Sequence, residues 1–226
     1  MKKFFILTIL FLFAVGLISY RVTMAYFSDT AQSTNNVFAA SSQFPTPTTT
    51  PINPGDVVIN EIMWMGSSVN SSDEWLELRN MTSNTIDLSN WVIENLGSGT
   101  NNVTIPLGKS IAPNEYFLIA NDPKETGAHN VDPDLVVGVS ITNSPSEQLV
   151  LRISSSGTVI DTADNNLGGW FAGVSGTGQN PDKSMERNDT PGDGTVSTNW
   201  HTATSSANID PGAPDIATPK AANSTP

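Results

Sequence analysis

Three short runs constrain the fold of this chain more than anything else in it: Val57-Val58-Ile59-Asn60-Glu61-Ile62, Glu74-Trp75-Leu76-Glu77-Leu78-Arg79-Asn80 and Leu88-Ser89-Asn90-Trp91. In the second, Leu76 and Leu78 fall on one face of an extended segment, and Trp75, Glu77 and Arg79 fall on the other. That is the period of two of a half-buried strand. The same reading predicts strands over 57–63, 74–80, 91–95, 102–105, 115–120, 148–154, 158–162 and 184–187. Gly97-Ser98-Gly99, Pro113-Asn114, Asn121-Asp122-Pro123 and Ser154-Ser155-Ser156-Gly157 act as breakers between them. No stretch supplies three turns of capped amphipathic helix, so the expected architecture is an all-β sandwich.

The 226-residue chain contains no cysteine, which rules out disulfides, thiol catalysis and cysteine-ligated zinc. Residues 57–211 are numerous enough to form one domain around a single core without such staples. Composition sets the flanks. Residues 26–56 are read as a surface segment and a linker, with Pro45-Thr46-Pro47-Thr48-Thr49-Thr50-Pro51 favouring extended backbone. Residues 212–226, rich in Pro, Ala, Ser and Thr, are expected to be a disordered tail.

Lys2 and Lys3 precede an uncharged apolar run over residues 4–20, the layout of a secretory signal, with small residues at Thr23 and Ala25 suited to cleavage after Ala25. The rival reading is a retained membrane anchor, since the run sits at the lower edge of what crosses roughly 30 Å of hydrocarbon. Residues 1–25 are therefore expected to be a signal peptide or an N-terminal anchor, with the rest of the chain extracellular or at the cell surface. The formal charge is −12. Removing Lys2, Lys3 and Arg21 with the signal leaves 7 basic residues against 22 acidic ones, a charge of −15. Such a charge repels phosphates, so no nucleic-acid partner is expected.

The ordered blocks resemble the lamin tail domain, an immunoglobulin-like β-sandwich, in the version carried by exported microbial proteins. The resemblance begins with the three opening runs and continues through Ile105-Pro106-Leu107-Gly108 and Ile111 to Ala120. It resumes at Gln148-Leu149-Val150-Leu151 and Val159-Ile160-Asp161. It ends with Gly178-Gln179-Asn180, Lys183 to Arg187, Asn199-Trp200 and Pro211 to Pro214. It implies an immunoglobulin-like sandwich and a non-catalytic binding or structural module. The nuclear role of eukaryotic lamins is not carried over. Separately, Ala25 to Thr30 and Asn35 to Ala40 resemble the signal-end region of camelysin-type and biofilm-fibre proteins, which implies surface association.

Glu61, Glu74 and Glu77 invite comparison with the paired carboxylates of glycoside hydrolysis. A structural role fits better, with Glu77 accepting hydrogen bonds from Arg79 or from backbone amides. His129 and His201 are the only histidines, too few for a cysteine-free zinc site, and there is no G-x-S-x-G. Calcium is a candidate ligand through Asp122, Asp132 and Asp134 in one loop and Asp161 and Asp164 in another. Asp is equally a default turn former, however, and EF-hand spacing is absent. Beyond that candidate, no cofactor is expected. Asn70, Asn80, Asn102, Asn188 and Asn223 stand in N-x-S/T sequons.

Tryptophan is the best handle on binding. Trp91, flanked by Leu88 and Val92, is expected in the core, the family resemblance implies the same for Trp200, and Trp75, Glu61 and Glu77 are expected in structural roles. Trp64 and Trp170-Phe171 lie in loops, where they could stack on a sugar, seal a protein interface or simply plug the sandwich end. The resulting expectation is a non-enzymatic extracellular or cell-surface interaction module on a stalk, with a cell-surface protein or polysaccharide as partner. The alternatives are a self-associating subunit of a surface layer or fibre, or a secreted hydrolase.

Overall fold

A computed structural model describes residues 51–97, 101–143, 148–176 and 180–226. The expected signal or anchor segment and most of the linker lie outside these residues. Among the described residues no helix is long and apolar enough to cross a membrane.

The described chain forms twelve strands and one 3-10 turn (Ser197–Asn199). β1 (Val57–Met63), β2 (Trp75–Asn80), β7 (Tyr116–Ala120), β8 (Leu135–Val136), β11 (Met185–Arg187) and β12 (Trp200–Thr202) make a six-stranded sheet in the order β12-β11-β1-β2-β7-β8. Only its β7–β8 pair is parallel. β4 (Val92–Gly97), β5 (Asn101–Thr104), β9 (Leu149–Arg152) and β10 (Val159–Ala163) make a second sheet in the order β10-β9-β4-β5. β3 (Ile86–Asp87) and β6 (Ser110–Ile111) form a two-stranded ribbon. The sandwich is thus all-β, as expected, and all eight anticipated strands are present to within a few residues.

The main core is drawn from both large sheets. Ile59, Leu76, Leu78 and Phe117 from the first meet Ile93, Leu151 and Ile160 from the second, with Trp91 and Trp200 buried among them. Each large aliphatic side chain buried there contributes roughly 1.5–3 kcal/mol. Trp75 points the other way. With Met63, Met65, Leu118, Ala120 and Ala217 it forms a second apolar cluster on the outer face of the six-stranded sheet.

One irregularity decides where the carboxylates go. Strict alternation would send Glu61 inward beside Val57 and Ile59, but the β1–β2 register shifts between Ile59 and Glu61. This bulge puts Ile62 in the core and turns Glu61 onto the outer face, opposite Glu77 of β2 and Glu186 of β11.

Residues 212–226, expected to be a disordered tail, lie instead against this outer face. Asp215, Ala217 and Thr218 are buried, and the segment bonds to Asn60, Glu61, Glu77 and Glu186. The composition that suggested disorder carries no signal for these partners, which are all distant in sequence.

Candidate functional site

The structure brings together the two loop aromatics that the sequence singles out separately. The chain leaves β1 through Trp64, and its indole Nε1 donates to Ala172 O at 3.0 Å, next to Trp170-Phe171. Gly173 makes this approach possible. It has φ +87°, and a Cβ there would stand 2.5 Å from the Trp64 indole nitrogen. Trp170 Nε1 donates to Thr142 O at 2.9 Å. Trp64, Trp170 and Phe171 are half-buried and pack against the main core. Both indole N–H groups are therefore committed to backbone carbonyls, so this end of the sandwich is plugged and its tryptophans offer no free donor. What the loop does present is apolar: Leu167 is 86% exposed and Val174 46%.

The carboxylates form a second assembly. Glu186, Glu61 and Glu77 stand directly opposite one another across β11, β1 and β2, and each is 0% exposed. Glu77 takes hydrogen bonds from Asn60 Nδ2 (3.0 Å) and from the backbone N–H of Lys220 (2.5 Å). A backbone amide is one of the two donors anticipated for it. The other, Arg79, pairs with Asp189 at 3.0 Å instead. Burial pushes the Glu77 carboxyl up to about 8. Glu61 is raised well above the usual range by burial and then by the neighbouring Glu186 and Glu77. Glu74 stands apart, accepting from Ile141 N at 2.9 Å, and burial raises it to about 7. Covered by the C-terminal segment, the row opens onto no cleft where a glycosidic bond could enter between two carboxyls.

The five candidate calcium ligands do not converge. Asp134 accepts from Leu118 N and from Lys220 Nζ. Both oxygens of Asp161 bond to Arg187 Nη2 at 2.8 Å, and one also accepts from Ile59 N. Asp164 caps its own turn through Asn165 N and Asn166 N. Asp122 Oδ2 accepts from Asn70, while Asp132 is exposed. Among the described residues no group of three or more His, Asp or Glu could hold a metal ion. His129 is buried between Val131 O and Asp122 O, and His201 contacts Glu186 and Ser224 O. Of the sequons, Asn80 is fully buried and bonded through its amide to Asn84 O and Ala112 O. That leaves no room for a glycan.

A family model described as Lamin Tail Domain matches residues 50–166, slightly more than half of the chain. The chain belongs to the lamin tail domain family. No curated protein matches it. The family match stops at Asn166. The apolar loop, β11, β12 and the C-terminal segment lie beyond the matched residues.

Sequence reasoning missed Glu186, Ser184, Thr218 and Asn223 as members of the carboxylate assembly. Only Glu186, in Lys183-Ser184-Met185-Glu186-Arg187, carried a signal, as an acidic residue on a strand already anticipated.

Proposed function

We propose that this lamin tail domain is a non-enzymatic interaction module working outside the cell, and that it meets its partner through the 167–174 loop. The observation that carries the reading is the pairing of a locked base with an apolar tip. Trp64, Trp170 and the Gly173 backbone fix the loop on the core, while Leu167 and Val174 stay in solvent. A preorganised apolar projection lowers the ordering cost of binding. Exposed apolar groups on a fixed loop suit the surface of another protein better than bare solvent. The basic-then-apolar start of the sequence and the Pro/Thr linker support export and a stalk. The camelysin-like segment supports a surface location.

The test is binding of the exported chain to envelope fractions of the producing cell. Saturable binding that weakens about tenfold, near 1.4 kcal/mol, in Leu167→Ser is the expected result. Equal binding by the variant would remove the loop from the interface. Leu167 is a better probe than Trp170, whose truncation would also remove core packing.

A further inference from the structure

Residues 215–224 lie on the outer sheet face, where Ile216 and Ala217 pair through their backbone with Asp182, Ser184 and Ala207, and from Thr218 onward backbone amides turn to the carboxylate row. Thr218 N donates to Glu61 Oε1 at 2.8 Å, Lys220 N to Glu77 Oε2 at 2.5 Å and Ser224 N to Glu186 Oε2 at 2.9 Å. Ala217 is its only side chain in the outer apolar cluster. The segment follows a turn at Pro211-Gly212, where Gly212 has φ +107°.

Proton bookkeeping in the row is decisive. Thr218 Oγ1 lies 3.2 Å from Glu61 Oε2 and 2.7 Å from Glu186 Oε1, yet a hydroxyl has one proton to give. Both contacts are satisfied only when one of these two carboxyls keeps a proton and donates it back to the hydroxyl oxygen. Glu61 Oε1 already accepts from Ser184 Oγ and Thr218 N. Glu61, raised by burial and by its acidic neighbours, holds that proton at Oε2, the oxygen left facing Thr218 Oγ1. Like charges directly opposite each other on a ladder destabilise it, and unpaired buried charge is costlier still.

We propose that residues 218–224 form a proton-gated strap, closed over Glu61, Glu77 and Glu186 while the row keeps its shared proton and released when mild alkali removes it. The titratable groups facing the row are few. His201 on β12 touches Glu186 at 3.1 Å. Lys220 on the strap pairs with Asp134, from the segment before β8, at 3.0 Å. Asp215, just before the strap, bonds to Ser68 and lies near Asp182. Lys220 and His201 sit at opposite flanks of the row, beside Glu77 and Glu186, and neither bonds to the central Glu61. The raised carboxyls of Glu61 and Glu77 place the release in the alkaline direction.

Amide hydrogen exchange of the full chain, with each rate taken relative to its unstructured rate at the same pH, tests this directly. Between about pH 6 and about pH 9, protection at Thr218, Lys220 and Ser224 is expected to fall by about tenfold or more while β1 and β2 stay protected. In Glu61→Gln, whose amide supplies a permanent donor toward Thr218, strap protection should persist through the alkaline range. Glu77→Gln, which removes a like charge that helps Glu61 keep its proton, should move the release to lower pH. Unchanged strap protection in the native chain, loss of protection in strap and strands together, or release of both variants at the native pH would overturn the proposal.

Discussion

Asp161 and Arg187 show how one residue pair ties the two sheets together. Arg187, on β11, is wholly buried, stacks over Trp200 with its guanidinium carbon 4.4 Å from the ring centre, and reaches Asp161 on β10 of the other sheet. Arg187 Nε and Nη1 have no hydrogen-bond partner, so Asp161 is its principal counter-charge. Burial pushes Asp161 up to about 6 despite the arginine. Removing one member of such a pair strands the other in a medium that solvates it poorly. Asp161→Asn is expected to cost about 3 kcal/mol in urea unfolding, with the slope unchanged. A cost within the range of ordinary surface substitutions would show that Arg187 is adequately satisfied by Trp200 alone. None of this was legible in the sequence. Asp161 looked like a turn residue or a calcium ligand because local spacing says nothing about an arginine on a distant strand.

At the scale of elements, period two was enough to read eight strands and the two faces of β2, because those depend only on neighbouring residues. β3, β6, β8 and β12 span two or three residues each, too short to show any periodicity. The face of Glu61 was hidden by the bulge, which reverses alternation after Ile59. The aromatic loop was half legible. Its residues stood out by type, but their mutual contact depends on Gly173, whose missing side chain admits the Trp64 ring. Gly173→Ala, with a Cβ at a left-handed φ and against the indole, should therefore destabilise by at least about 1 kcal/mol and alter near-ultraviolet circular dichroism. A spectrum and melting curve identical to the native chain would mean that the loop is not fixed in this way.

Across the whole molecule, buried carboxyls set the pH response. Glu77, Glu74 and Asp161 are pushed to about 8, about 7 and about 6. All three are raised, so folding favours their protonated forms. Their contribution is full below the ordinary carboxylate values, near 4.5 for Glu and 3.8 for Asp, and is lost as pH rises through the folded values. The melting temperature is expected to be highest in mild acid and to decline toward about pH 8, with the net charge of −12 adding repulsion in the same direction. Glu77→Gln should flatten the upper part of that decline. A native melting temperature that climbs from mild acid to about pH 8 would contradict the buried, protonated row. A family and an all-β class could be read from patterns along the chain, whereas this response arises from carboxyls that folding buries at separate places, Glu77 in the row, Glu74 against Ile141 and Asp161 between the sheets.

The central claim, that this lamin tail domain works by contact through its apolar loop, is most directly tested by comparing amide hydrogen exchange of the chain free and bound to its envelope fraction. The expected footprint is slowed exchange over residues 167–174, with the outer carboxylate face unchanged. Binding that slows exchange elsewhere and leaves that loop as fast as in the free chain would contradict it.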